Sequence, residues 1–93
     1  MKFRTTKERL FSALNETNKI IPIRTTLPIL SCVLIEAKNN QIKLTATDLE
    51  QTIVTKIEAE IPKEGVLAVP GSRFLEIVAA LPSGVIEITA TEE

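Results

Sequence analysis

Two groups of apolar residues recur at the three- and four-residue spacing of a helical face: Leu10, Phe11, Leu14 and Ile21, and then Phe74, Leu75, Ile77, Val78 and Leu81. They predict one helix over Lys7–Lys19 and a second over Ser72–Leu81. Thr5 and Glu8 have the spacing of a capping box at the start of the first helix. Ser72 is the expected N-cap of the second helix.

The remaining apolar residues alternate with polar ones or form short continuous runs, as strands do. The predicted strands are Lys2–Thr6, Ile29–Ala37, Ile42–Thr47, Gln51–Ile61, Val66–Val69 and Val85–Thr91. Asn39 and Asn40 form a predicted tight turn. The order is strand, helix and three strands, followed by strand, helix and strand, so a repeat of architecture runs along the chain. Two more strands would complete the second unit, and we expect Val85–Thr91 to be an exposed sheet edge.

Composition indicates one globular domain, because the 93 residues are 44% hydrophobic and 25% charged. The N-terminus lacks the apolar core of a signal peptide, and no apolar run reaches membrane-spanning length. Cys32, the single cysteine, lies in an apolar run and is expected to be a buried small side chain. These features predict a soluble protein of the cytoplasm.

Charge is distributed unevenly although the net charge is only −1. Residues 1–24 contain six basic and two acidic residues, whereas residues 25–93 contain five basic and ten acidic residues. Arg9, Arg24, Lys19 and Arg73 are available for phosphate contacts, but no aromatic platform for base stacking is present. Any DNA contact is therefore expected to be electrostatic and independent of sequence. A solvated charged face on a protein-interaction module is the alternative.

Catalytic chemistry has few candidates in this chain. There is no histidine, one cysteine and no glycine-rich phosphate loop. Acidic pairs such as Asp48/Glu50 and Glu58/Glu60 are candidates for a divalent cation, but neither has an EF-hand pattern around it. We predict no catalytic residue, no metal site and no cofactor. A metal-dependent enzyme using Asp48 or Glu50 is the alternative.

Four segments in order carry a resemblance to a known family. They are Met1-Lys2-Phe3, Arg24-Thr25-Thr26-Leu27-Pro28-Ile29-Leu30-Ser31, Leu44-Thr45-Ala46-Thr47-Asp48-Leu49-Glu50, and Val69-Pro70-Gly71-Ser72-Arg73-Phe74-Leu75-Glu76-Ile77 with Leu81-Pro82. The last three resemble R-P-T-L-P-I-L-[SG], L-T-[AG]-T-D-L-E and V-P-A-R-K-[FL]-[FL]-D-I of the bacterial DNA polymerase III β subunit, the β sliding clamp. The resemblance covers the whole chain.

This resemblance implies an α+β DNA-clamp fold, with two βαβββ-type units, two helices packed on an antiparallel sheet, and a truncated second unit. Residues 1–93 would be the first of three similar domains, incomplete at the C-terminal end. Two subunits would join head to tail in a homodimeric ring that encircles double-stranded DNA, with helices lining the hole. The implied function is a non-catalytic processivity factor in DNA replication. The replicative polymerase and the clamp loader would bind domains absent from this chain.

The resemblance also places three residues at the DNA. Arg24 aligns with a DNA-contacting arginine of the family. A second family contact falls on Ser72, where the family's cation is missing, and the neighbouring Arg73 is a possible substitute. Alternatively, Arg73 matches a residue near the subunit interface, where it would pair with an acidic residue of the partner. Thr25 replaces the usual proline, which we expect to loosen the loop. The rival interpretation is a free-standing interaction module that shares the fold.

Overall fold

The computed structural model describes residues 1–21, 31–48 and 50–90, which form two helices and seven strands. In chain order these are β1 (Lys2–Thr6), α1 (Lys7–Thr17), β2 (Cys32–Lys38), β3 (Gln41–Thr47), β4 (Thr52–Glu58), β5 (Glu60–Lys63), β6 (Gly65–Pro70), α2 (Gly71–Ala79) and β7 (Val85–Thr89). A 3-10 turn, Asn18–Ile20, continues α1. The predicted α+β fold with two helices on antiparallel strands is confirmed.

The strands form two sheets rather than the single sheet expected. One sheet has the order β5-β1-β7 and the other β4-β3-β2-β6, and every pair is antiparallel. The two predicted units are interleaved, because the first strand of each pairs with the second strand of the other, β1 with β7 and β6 with β2. This exchange relates the two units by an approximate two-fold symmetry.

The predicted strand Gln51–Ile61 is wrong as one strand, because the chain passes from one sheet to the other at Ala59. β4 pairs with β3 before this point, and β5 pairs with β1 after it. The Ala59 N–H donates to the Asn40 carbonyl at 3.1 Å, and the Thr5 hydroxyl donates to the Glu58 carbonyl at 3.1 Å. These bonds satisfy backbone groups that would otherwise be unpaired where the two ladders separate.

The core lies between the helices and the sheets and is built from aliphatic side chains and one phenylalanine. Its buried apolar residues are Phe3, Leu10, Ala13, Leu14, Val33, Ile35, Ala37, Ile42, Leu44, Ala46 and Val78. The helical faces were predicted correctly except at Ile77, whose side chain is 53% exposed. Most of the fully buried side chains belong to the first unit. The apolar side chains of the second unit are therefore more exposed to solvent.

Both predicted helix caps are displaced by one or two residues. Thr6, not Thr5, caps α1, and its hydroxyl accepts the Arg9 N–H at 3.2 Å. Thr5 belongs to β1 and is buried. α2 begins at Gly71 after Pro70, so Ser72 is an exposed helical residue and no side chain caps this helix.

The predicted turn at Asn39 and Asn40 is confirmed. Both residues have positive φ, 53° and 59°, which asparagine tolerates better than most residues. Within the described residues, neither helix has the length and hydropathy needed to cross a membrane.

Candidate nucleic-acid interface

The junction between the two helices sets the geometry of the candidate site. The Asn18 side-chain amide, just after α1, donates to the Gly71 carbonyl at the start of α2, at 3.1 Å. Gly71 is buried, and a Cβ built there would lie 2.3 Å from Asn18 Oδ1 and 2.5 Å from Ile21 Cδ1. Any larger residue at position 71 would require the ends of the Asn18 and Ile21 side chains to move. The end of α1 and the start of α2 are therefore held together, and Lys19, Ser72 and Arg73 are carried on the same end of the helix pair.

The helices are nearly balanced in charge over the described residues. Together with the 3-10 turn that follows α1, they carry four basic and three acidic side chains, which are Lys7, Glu8, Arg9, Glu16, Lys19, Arg73 and Glu76. Lys19 forms an ion pair with Glu16 at 3.0 Å, and the Glu8 carboxylate accepts the Gly84 N–H at 3.2 Å. Arg73 has no ion pair with any other residue of the described ranges. This surface can attract a phosphate locally without binding a polyanion tightly.

The start of α2 adds a second source of positive potential. No side chain caps its first turn, so the first N–H groups of the helix have no side-chain acceptor, and the helix dipole favours an anion at this end. Ser72 and Arg73 are both exposed in this turn. A hydroxyl and a guanidinium are thus available beside the helix N-terminus, although the cation expected at position 72 is absent.

Arg24, the third predicted contact, lies outside the described residues, as do Thr25 and the rest of 22–30. The described chain resumes at Ser31 and enters β2, whose first residue, Cys32, is opposite Pro70 at the end of β6. The prediction for Arg24 therefore remains a prediction.

In each acidic pair at least one carboxylate already binds a neighbouring group of the chain, and the pairs do not converge on a common metal site. Asp48 Oδ1 accepts the N–H groups of Glu50 and Gln51 at 3.0 and 2.7 Å, which forms a turn. Glu58 and Glu60 are exposed on either side of the sheet crossing, and Glu60 contacts Arg4 at 3.3 Å. Over residues 1–21, 31–48 and 50–90, no three potential metal ligands are grouped together.

A cleft of about 660 Å³ opens where β4 gives way to β5. Arg4, Arg9, Asn40 and Glu58 are among the residues that line it. Its wall includes neither Ser72 nor Arg73, and it has no cysteine. Since the chain also lacks histidine, the cleft contains no nucleophile–base pair of the usual types.

An ion-pair ladder crosses the sheet that contains β1, away from the helix pair. Arg4 Nε contacts Glu87 at 2.8 Å, and Lys2 Nζ contacts the same carboxylate at 3.4 Å. The hydrogen bond from Arg4 is the main reason that the pKa of Glu87 is lower than usual, and Lys2 lowers it further. The same bond raises the pKa of Arg4. All three side chains are exposed, so the ladder contributes little to stability.

Comparison with known proteins identifies the family to which this chain belongs. A family model described as "DNA polymerase III beta subunit, N-terminal domain" matches residues 1–93. The chain belongs to that family.

Relatives of the family are about one-third identical to this chain over the aligned residues. The beta sliding clamp of Staphylococcus epidermidis is 34% identical over 101 residues, which cover 100% of this chain and 27% of the relative. The beta sliding clamp of Pseudomonas putida is 35% identical over 95 residues, covering 100% of this chain and 26% of the relative. The chain thus spans about a quarter of the length of these β subunits.

Solved β-subunit structures have the same fold. The DNA polymerase sliding clamp of Caulobacter crescentus superposes with a TM-score of 0.93 at 30% identity, over 98% of this chain and 25% of that one. A putative DNA polymerase III beta subunit from Eubacterium rectale gives a TM-score of 0.93 at 40% identity, with the same coverage. The predicted clamp fold is therefore confirmed.

Sequence reasoning missed the structural importance of Gly71, a position at which this chain differs from the β-subunit motif. The family motif has alanine where this chain has Gly71. Its significance depends on Asn18 and Ile21, which reach it only in the folded chain. The available signal was the glycine itself at the start of a helix, where a small residue often marks a close approach.

Proposed function

We propose that this chain forms part of a DNA sliding clamp and contributes its first domain. The clamp is a non-catalytic processivity factor of the cytoplasm, which encircles double-stranded DNA and tethers the replicative polymerase. The observation that carries the proposal is the superposition on the Caulobacter crescentus sliding clamp, with a TM-score of 0.93 over 98% of the chain. The nearly balanced charge of the helix pair supports it, because a clamp that slides needs weak and transient phosphate contacts.

The assembly proposed is a ring of two head-to-tail subunits. In this arrangement α1 and α2 face the DNA and the two sheets face outward. The polymerase and the clamp loader bind parts of the subunit beyond residues 1–93. We also propose that two further strands complete the second unit beside β7, since the first unit has β3 and β4 in the equivalent place beside β2.

DNA contact in this proposal is made by Arg24, Arg73 and Ser72. Arg73 supplies the cation at the start of α2, and Ser72 supplies a hydroxyl next to the first N–H groups of the helix. A phosphate in this position interacts with a full charge, a hydroxyl and the helix dipole together. None of these groups reads a base, so the contact is independent of sequence.

The experiment that tests the function uses a chimera. Residues 1–93 replace the matching segment of the Staphylococcus epidermidis clamp, and that organism's loader and polymerase extend a primed template. We expect products as long as those made with the unmodified clamp. Products no longer than those made without any clamp, from a chimera that still forms dimers, would contradict the proposal.

The same chimera separates the two roles of Arg73. If Arg73 contacts DNA, Arg73→Ala weakens DNA binding and reduces the slope of its salt dependence by about one. If Arg73 lies at the subunit interface, the substitution weakens the dimer instead. Lys63→Ala is the matched control, because Lys63 is an exposed cation on β5, away from the helix pair. It should change neither quantity.

A further inference from the structure

The outer face of the larger sheet departs from the polar pattern expected of a solvated sheet face. This sheet consists of β4, β3, β2 and β6, and its inner face covers the core. On the outer face, one residue from each strand lies in a row that crosses the whole sheet. These residues are Val54, Thr45, Leu34 and Ala68, here called the apolar row. Because an antiparallel sheet packed on one face normally has polar residues on the other, the apolar row is not explained by the fold.

The surface along the apolar row is free of polar side-chain atoms. Val54 is 47% exposed, Leu34 is 37% exposed, and Ala68 is also exposed. Thr45 is half-buried, and its hydroxyl oxygen is buried without a hydrogen-bond partner in the described ranges. The apolar surface therefore continues from β4 to β6. An exposed apolar patch bordered by polar residues is typical of a site where another molecule docks.

Charged side chains run beside the apolar row on the same face. Lys56, Lys43 and Glu36 occupy adjoining register positions on β4, β3 and β2. Lys56 and Lys43 are directly opposite each other, an arrangement that destabilises a sheet. Lys43 Nζ lies 4.0 Å from the Glu36 carboxylate, whereas Lys56 forms no ion pair with the parts of the chain that the structure describes. This row therefore has one unbalanced positive charge.

The opposite flank of the apolar row is uncharged. Its residues are Thr52, Thr47, Cys32 and Pro70. Beyond the lysines, the next row is neutral in sum and consists of Glu58, Gln41 and Lys38. Positive charge is thus concentrated on one side of the apolar row. A partner that complements this face has an apolar surface with acidic groups along one side of it.

The spacing of the two rows favours a helix over an extended peptide. Residues two apart in a strand are separated by about 7 Å, and a row across four strands is about 14 Å long. An extended peptide of alternating apolar and acidic residues turns its carboxylates away from the sheet. A helix is about 10 Å wide, and about nine of its residues span 14 Å. A helix lying along the apolar row therefore contacts the lysine row as well.

We propose that the outer face of this sheet is a docking site for an acidic amphipathic helix of a partner protein. The apolar stripe of the helix packs on Val54, Leu34 and Ala68. Its carboxylates approach the Lys56 ammonium and reduce the repulsion between Lys56 and Lys43. Burial of apolar area drives the association, and the charges determine which side of the helix faces the lysines.

The site is compatible with the ring proposed above, on whose orientation its accessibility rests. There the sheets face outward, so a partner can dock while α1 and α2 face the DNA. Binding to the sheet is measured without DNA, polymerase or loader. Failure of the docking proposal is therefore distinguishable from failure of the clamp function, which the chimera tests.

Two synthetic helical peptides of about 15 residues, a length at which an isolated helix begins to be stable, test the proposal. Both have a stripe of leucines at helical spacing. One has glutamates along one side of the stripe, and the other has lysines there. NMR titration of the 93-residue chain should show binding of the glutamate peptide only, with the largest amide shifts at Val54, Leu34 and Lys56.

Matched substitutions on the two sheets locate the binding site. Val54→Asp should weaken binding of the glutamate peptide by about tenfold or more, because an apolar contact is lost and a like charge is added. Val85→Asp is the control, since Val85 is 74% exposed on β7 of the other sheet, and it should bind as the native chain does. Lys56→Glu should weaken binding of the glutamate peptide and allow the lysine peptide to bind. Lys63→Glu, at an exposed position on β5, should change neither.

Four results would overturn the proposal: no binding of the glutamate peptide, equal binding of both peptides, binding that survives Val54→Asp, or binding lost equally with Val85→Asp. Self-association of the native chain that Val54→Asp abolishes, seen by analytical ultracentrifugation, would assign the face to a second copy instead. Circular dichroism establishes that each variant is folded. If Val54→Asp does not fold, Lys56→Glu decides the matter, because the Lys56 side chain is exposed. An unchanged preference for the glutamate peptide in that variant would reject the docking site.

Discussion

Gly71→Ala restores the residue of the family motif, yet the structure predicts that it destabilises this chain. The new Cβ would lie 2.3 Å from Asn18 Oδ1, 2.5 Å from Ile21 Cδ1 and 3.1 Å from Val33 Cγ2. Ordinary contacts at this position begin near 3.4 Å. The ends of the Asn18 and Ile21 side chains must therefore move by about an ångström, and this shift is costly because the Asn18 amide is held by its bond to the Gly71 carbonyl.

The magnitude follows from two unfavourable contributions and one favourable contribution. Overpacking of this kind costs about 1–3 kcal/mol, and displacement of Asn18 weakens its 3.1 Å bond to the Gly71 carbonyl, worth about 1 kcal/mol. Alanine is favoured over glycine by up to about 1 kcal/mol inside a helix. The net loss is about 2 kcal/mol, which lowers Tm by roughly 8–16 °C in a domain of this size.

Thermal and urea unfolding followed by circular dichroism measure this effect. Ser72→Ala is the neighbouring control, because Ser72 is exposed, and it should change stability by less than about 0.5 kcal/mol. Asn18→Ala removes one of the clashing atoms, so the double variant should be less destabilised than the sum of the single effects. A Gly71→Ala chain as stable as the native one would refute the close approach of the two helices.

Three smaller predictions concern the cap, the turn and the ion pairs. Thr6→Ala should destabilise the chain by about 1 kcal/mol through loss of the α1 cap, and Thr6→Ser by clearly less, as measured by urea unfolding. Asn40→Val should cost about 1–2 kcal/mol because φ is 59°, whereas Asn40→Gly should be at least as stable as the native chain. Since the pKa of Glu87 is lowered by folding, its contribution is present above the pKa of an unfolded glutamate and is lost as pH falls through the folded value. NMR titration should show the Glu87 midpoint moving upward in Arg4→Gln, and an unchanged midpoint would exclude the ion pair as its cause.

Local patterning predicted the strands of the fold well. Ile42, Leu44 and Ala46 alternate with polar residues, and β3 buries these three on one face. The same alternation did not predict that β4 and β5 are separate strands. Ile57 and Ile61, on either side of Ala59, continue the two-residue spacing of a single strand. The chain passes from one sheet to the other because β4 and β5 have different partner strands, and the choice of partner depends on the tertiary structure.

The helix ends and the candidate site were harder to predict. Thr5 and Thr6 are both plausible caps, and the choice depends on Thr5 being buried in β1. Ser72 and Arg73 lie on an exposed helical surface at the start of α2, although Ser72 was predicted to be the N-cap. The contact between Asn18 and Gly71 joins residues 53 positions apart, so no local pattern could reveal it.

The central claim is that the domain belongs to a ring held on DNA by topology. Its most direct test is retention of the chimera, assembled from residues 1–93 and the rest of the Staphylococcus epidermidis clamp, on plasmid DNA after loading. We predict stable retention on the closed circle and release after a single cut makes the DNA linear. Equal retention on circular and linear DNA would mean ordinary electrostatic binding, and it would contradict the claim.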